Sequence, residues 1–362
     1  MIDARAGFSH SYANARKRFF GAAQASGLQV ESHKQRMPGH DQETLSMDVV
    51  LDGPPDADRL LVVSSGVHGV EGFCGSGIQV FALQDEALRA KARERGVALL
   101  YIHAVNPYGF SYIRRATHEN VDLNRNFFDY SKPLPANVGY RALHPLLLPE
   151  QWPPTLGNKL KLAWLLLRHG KRAVQTAVSA GQYEFSKGLF FGGTEPTWSN
   201  ETLRAVVRKY AAHARHIAWI DLHTGLGPSG KGERILSARN DSVGLADAQA
   251  MWGDGVTSFF QQSTVSANVS GSMLDAIQQE CAQADFNAIT IEYGTAPLKE
   301  VLAALRAEQW LQNHPRTSLR KAAAIRRQML EAFFTDTDAW KEQVVSQARE
   351  AMLQSVAGLD AH

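Results

Sequence analysis

Four short, nearly continuous apolar runs recur along this chain, and each stops at a cluster of polar residues able to do chemistry. Leu60 to Ser64 leads into Ser65-Gly66-Val67-His68-Gly69-Val70-Glu71-Gly72-Phe73, and Val97 to Val105 leads into Asn106-Pro107-Tyr108-Gly109. His216 to Leu222 runs into His223-Thr224-Gly225, and Ala288 to Glu292 into Tyr293-Gly294. Runs this short and unbroken are read as strands buried on both faces, the habit of parallel sheets. Helical patterns separate them at 9 to 27, 73 to 90, 199 to 214, 244 to 262 and 271 to 284, and Leu45 to Leu51 adds a further strand. Such alternation predicts an α/β domain around a mixed, mostly parallel twisted sheet flanked by helices.

Residues 130-198 interrupt the rhythm with a proline-rich stretch, Pro133, Pro135, Pro145, Pro149, Pro153 and Pro154, followed by a helix, and are read as an insertion or lid. The expected organisation is a catalytic domain over 1-310 carrying that insertion, with 311-362 as a helical extension packed on it. Ala163 to Leu167 is the most apolar helical patch, but Lys159, Lys161, Arg168, Lys171 and Arg172 bracket it, and no stretch reaches the roughly 20 apolar residues of a membrane span. A formal charge of +2 over 362 residues gives no reason to expect nucleic acid or membrane as a partner. Two cysteines, Cys74 and Cys281, are too few for a disulfide framework or a thiolate zinc site. With no signal-peptide core in the first twenty residues, the expected location is cytoplasmic.

In open α/β sheets ligands bind beyond the carboxyl ends of the strands, which is where the four clusters fall. His68, Glu71 and His223 then make a His₂Glu set, the donor type of a hydrolytic zinc site that keeps one position open. Glu292 is left as a base. The Gly66-x-x-Gly69-x-x-Gly72 spacing lacks the G-x-G-x-x-G core of a dinucleotide loop, and a His-Glu pair is a poor phosphate cradle.

Between the second and third clusters lies Arg114-Arg115-Ala116-Thr117-His118-Glu119-Asn120-Val121-Asp122-Leu123-Asn124-Arg125-Asn126-Phe127. With His68-x-x-Glu71, Asn106-Pro107-x-Gly109, Asp122-Leu123-Asn124-Arg125-Asn126-Phe127, His223 and Glu292 in this order, the chain resembles the zinc metallocarboxypeptidases of the carboxypeptidase A type. It is most similar to a bacterial branch known as a domain of unknown function. The resemblance spans roughly residues 10 to 300, and implies a zinc carboxypeptidase-like fold with one Zn²⁺ per chain on His68, Glu71 and His223. Asp122 would orient His68 through its other ring nitrogen. Asn124 and Arg125 would hold a substrate carboxylate, for which a guanidinium fork is suited, although Arg125 also reads as an ion-pair partner of Asp122. One arginine of the Arg114-Arg115 pair would polarise the scissile carbonyl; Arg115, nine residues before Asn124, is favoured, with Arg114 as a substrate-binding neighbour. Glu292 would be general base and then acid.

The implied activity is hydrolysis of an amide next to a free carboxylate, on short or modified peptides. The alternatives are an aspartoacylase-like amidohydrolase acting on N-acyl amino acids, and a catalytically inactive zinc-binding module. One departure stands out. The carboxypeptidases carry a loop tyrosine shortly before a Gly-Ser turn; here that turn is Gly271-Ser272 and Ser266 falls where the phenol belongs. Tyr293 is not an obvious substitute, since neighbours on a strand face opposite ways. Met273 and Leu274 read either as an apolar pocket wall or as helix packing.

Overall fold

The computed structural model describes residues 3–259, 261, 263, 264 and 269–360. One seven-stranded sheet organises it, from β1 (Val30–Pro38), β2 (Thr44–Asp52), β3 (Arg59–Ser65), β4 (Val97–His103), β5 (His216–Ser229), β6 (Gly232–Leu236) and β7 (Asp285–Gly294). The order across the sheet is β1-β2-β4-β3-β5-β7-β6. The central strands β4, β3, β5 and β7 are mutually parallel, while β1, β2 and β6 close the two margins in antiparallel pairing. This is the mixed, mostly parallel sheet that the apolar runs imply.

Every residue of β4 is buried, and β3 is buried from Leu60 onward. Their side chains alternate between two apolar layers, as strand geometry requires. Leu61 and Val63 join a cluster with Phe19, Phe73, Val344 and Met352. Leu60 and Val62 join the opposite cluster with Val206, Trp219, Met273 and Ile277. Helices Tyr12–Ala25, Gly72–Gln84 and Asp338–Asp360 thus supply one layer, and Trp198–Tyr210 and Met273–Glu280 the other.

The two margins carry the strands that hydrophobic runs did not disclose. β1 reads VESHKQRMP with a single buried residue, and β6 reads GERIL; polar edge strands have no apolar signature and resist edge-to-edge pairing. The helix expected over 73 to 90 is two helices, because Asp85 ends Gly72–Gln84 and caps Glu86–Glu94 by accepting the Leu88 amide. The one expected over 244 to 262 stops at Trp252, where Gly253 takes φ +91°.

The C-terminal helices reach the strand ends directly. Thr224 and Thr295 donate their hydroxyls to the carbonyls of Phe333 and Ala332, at 2.7 and 2.6 Å. These are carbonyls of the last turn of Leu319–Phe333, which have no partner within the helix. The 130-198 segment folds as helices Val138–Leu147, Leu156–His169 and Lys171–Ser179 followed by an irregular, turn-rich stretch with a single bridge between Gln182 and Phe191, and the Phe191 carbonyl accepts the Asp122 amide at 2.8 Å.

Candidate metal centre

The parallel strands β3, β5 and β7 deliver His68, His223 and Glu292 to the same edge, with His223 and Glu292 directly opposed in the sheet register. After β3 the chain turns through a single 3-10 turn, Gly69–Glu71, which presents His68 and Glu71 together. That turn lies flat against the Asn106-Pro107 turn. A Cβ at Gly69 would stand 2.0 Å from the carbonyl carbon of Gly109, so only glycine permits the approach. The Gly69 and Val70 amides bond the carbonyls of Arg115 and Arg114, and Asn106 ties the same segment by donating from Nδ2 to the Arg115 carbonyl at 3.1 Å.

The three donors face one point. His68 Nδ1 lies 2.9 Å from Glu71 Oε1, His223 Nδ1 lies 2.9 Å from Glu71 Oε2, and the two Nδ1 atoms are 3.2 Å apart. A tetrahedral ion with bonds of about 2.0–2.1 Å sets its ligands roughly 3.3 Å apart. Two imidazoles and a carboxylate at these spacings therefore fit a zinc ion, and among the described residues this is the one group of such side chains able to hold a metal. Each imidazole is steered from behind by a carboxylate. Asp122 Oδ1 is 3.2 Å from His68 Nε2, and Asp221 Oδ2 is 2.5 Å from His223 Nε2. Such partners fix the tautomer that leaves the other nitrogen free to ligate.

All of these groups are buried, and charge overrides the cost. Burial alone opposes ionisation of Glu71, but the charge of His68 and the hydrogen bond from His223 hold its carboxyl below the usual range. Burial likewise opposes ionisation of Asp122, yet Arg115 and Arg125 beside it hold it well below its ordinary value. His223 loses solvation too, and Asp221 nevertheless raises its pKa well above the ordinary imidazole value. Glu292 goes the other way. Burial first, and the charge of Glu71 second, push its carboxyl up to about 7. Its Oε1 accepts the Leu226 amide at 2.9 Å.

Arg115 reaches the centre, with Nε 2.8 Å from Asp122 Oδ2 and Nη1 3.3 Å from Glu71 Oε1. Arg114 does not. Its side chain is buried in the other direction, on Glu308 Oε1 at 2.6 Å, the Thr117 carbonyl and Asn120 Oδ1. Arg125 is buried next to Asp122 with 3.9 Å between charged atoms, and its Nε and Nη2 donate to the Ser179 carbonyl at 3.1 and 2.5 Å. Asn124 Oδ1 accepts the Met273 amide at 3.1 Å. Met273 and Leu274 are core residues. Tyr293 is fully buried on the opposite face of β7 from Glu292, and the position expected to lack the tyrosine, Ser266, lies outside the described residues.

Two further residues join the centre. Asp221 lies two residues before His223 on β5, and residues two apart on a strand share a face. Phe190, from the insertion, sets its ring 5.4 Å from the Arg115 guanidinium carbon and 5.9 Å from that of Arg125.

Among curated proteins none matches the chain by sequence. Among solved structures, bovine thrombin-activatable fibrinolysis inhibitor, in complex with tick carboxypeptidase inhibitor, is similar over 97% of this chain and 97% of its own, at 12% identity and a TM-score of 0.52. A second structure of thrombin-activatable fibrinolysis inhibitor is similar over 97% of this chain and 77% of its own, at 12% identity and 0.52. Carboxypeptidase A from Helicoverpa armigera is similar over 94% and 74%, at 15% identity and 0.47. At such identities the likeness is one of fold, and the fold is that of the zinc carboxypeptidases. A family model matches residues 8–347, and by that match the chain belongs to the family described as protein of unknown function DUF2817.

Proposed function

We infer that the protein is a zinc-dependent hydrolase that cleaves an amide bond next to a free carboxylate, a carboxypeptidase-like enzyme for short or modified peptides. The observation that carries this reading is the convergence of His68, Glu71 and His223 on one point, with Glu292 across the sheet register and Arg115 bonded to Glu71. A zinc ion held by the three donors would supply a lowered water pKa and a Lewis-acid contact for a carbonyl oxygen.

The chain's own groups do the remaining work. The Leu226 amide occupies Glu292 Oε1, which leaves Oε2 to take a proton from the attacking water and return it to the departing amine. A carboxyl poised near 7 suits both transfers at neutral pH. Arg115, anchored through Nε on Asp122, directs its terminal nitrogens to the developing oxyanion. Asn124 and Arg125 receive the substrate carboxylate, which takes the place of the Ser179 carbonyl on the guanidinium.

One observation favours a smaller substrate, an N-acyl amino acid, as in an aspartoacylase-like enzyme. The insertion places Phe190 over both arginines and ties Arg125 to Ser179, crowding the carboxylate side. A panel of short peptides and N-acyl amino acids, assayed by release of free amine, separates the two readings. Glu292→Gln should abolish turnover on whichever class is cleaved. Zinc bound without hydrolysis of either class would leave a zinc-binding module.

A further inference from the structure

Helix Leu156–His169 of the insertion contains no buried residue. Its inner side is anchored, with Leu165 and Leu166 packed on the core, Asn158 Nδ2 on the Leu146 carbonyl at 3.1 Å and Asn158 Oδ1 accepting from Arg306 at 3.3 Å. Its outer side is apolar. Leu156, Leu160, Trp164 and Leu167 are 72, 62, 55 and 87% exposed, and at 3.6 residues per turn they fall within an arc of about 80°. Lys159 flanks that arc on one side, and Lys161 and Arg168 on the other; Arg168 lies 5.3 Å from the Trp164 ring.

Charge decides what such a stripe meets. From Gln151 to Tyr183 there is no Asp or Glu, while Lys159, Lys161, Arg168, Lys171 and Arg172 all carry positive charge. A second copy of the chain would bring the same cations face to face, with no carboxylate from this segment to pair them. An anionic bilayer supplies both needs. Leucines and a tryptophan enter the headgroup boundary, and cations on both flanks meet lipid phosphates.

We propose that helix Leu156–His169 is a membrane-surface docking element that lies in the plane of an anionic lipid bilayer. Among the described residues no helix is long and apolar enough to cross a membrane, so attachment is peripheral, through this stripe. The proposal is independent of the hydrolase reading and its outcome leaves that reading untouched.

The test is co-sedimentation of the full chain with vesicles of three parts phosphatidylcholine to one part phosphatidylglycerol, against vesicles of phosphatidylcholine alone. Binding to the anionic vesicles should be at least about ten-fold tighter and should weaken with added salt. Leu160→Glu with Leu167→Glu, both at exposed positions, should lose about ten-fold or more of that binding, with circular dichroism and zinc content unchanged. Lys159→Glu with Lys161→Glu should remove the preference for anionic lipid. Wild type that stays in solution with both vesicles overturns the proposal, as does undiminished binding by the double-Glu variant. A vesicle-free dimer that the leucine variant dissociates would also overturn it, making the stripe a self-interface.

Discussion

Asp221 holds Nε2 of His223 at 2.5 Å from two residues back on the same strand. The other carboxylate oxygen accepts from Ser64 Oγ at 2.6 Å, and Ser64 in turn accepts from Trp219 Nε1 at 2.7 Å. Trp219, Asp221 and His223 share one face of β5, and Ser64 is Asp221's register partner on β3. This buried relay fixes the imidazole so that Nδ1 points at Glu71 and His68.

Replacing the charge in that relay tests it. Asp221→Asn keeps an acceptor but removes the carboxylate, and we expect zinc affinity to fall about 10- to 100-fold. Competition against a chromogenic chelator measures it. Unchanged affinity would reduce Asp221 to a space-filling role.

Arg114 and Arg115 are adjacent in sequence and separate in task. Arg114 and Glu308 form a buried pair, so Arg114→Met or Glu308→Met alone should cost roughly 3–5 kcal/mol of stability, and the two together less than their sum. Urea unfolding of the three variants checks this. Arg115→Gln should instead lower turnover by about 10²-fold while leaving zinc content intact. The reverse pattern would exchange the two assignments.

Glu292 makes stability depend on pH in the metal-free protein. Its folded pKa of about 7 lies above its ordinary value of 4.5, so the folded state holds the proton more tightly than the unfolded chain. The resulting stabilisation is complete below the unfolded value and disappears as pH rises through about 7. Glu292→Gln cannot ionise. The metal-free variant should therefore gain up to about 3 kcal/mol on wild type near pH 8, and little near pH 4. Equal stability at both pH values would mean that Glu292 is not held protonated by its surroundings.

Much of the fold was legible because burial on both faces leaves only apolar side chains in β3 and β4. β1 and β6 were not, because a polar edge strand looks like a loop. The candidate metal donors were legible from His68-x-x-Glu71 and from the recurrence of polar clusters at strand ends. The spacing to Asn124 favoured Arg115 over Arg114, but what Arg114 does instead was beyond the sequence, since Glu308 lies 194 residues from it. The contact between Arg125 and Ser179 was equally hidden: it uses a backbone carbonyl, which every residue type carries. Asp221 was within reach, because a carboxylate two residues before a candidate ligand on a strand must share its face.

The measurement that bears most directly on the centre is elemental analysis of the purified, zinc-reconstituted protein beside His68→Ala with His223→Ala. We expect about one zinc per wild-type chain and none in the double variant, with circular dichroism showing both folded. Zinc-free wild type after reconstitution, or a double variant that retains the metal, would contradict a site built on His68, Glu71 and His223.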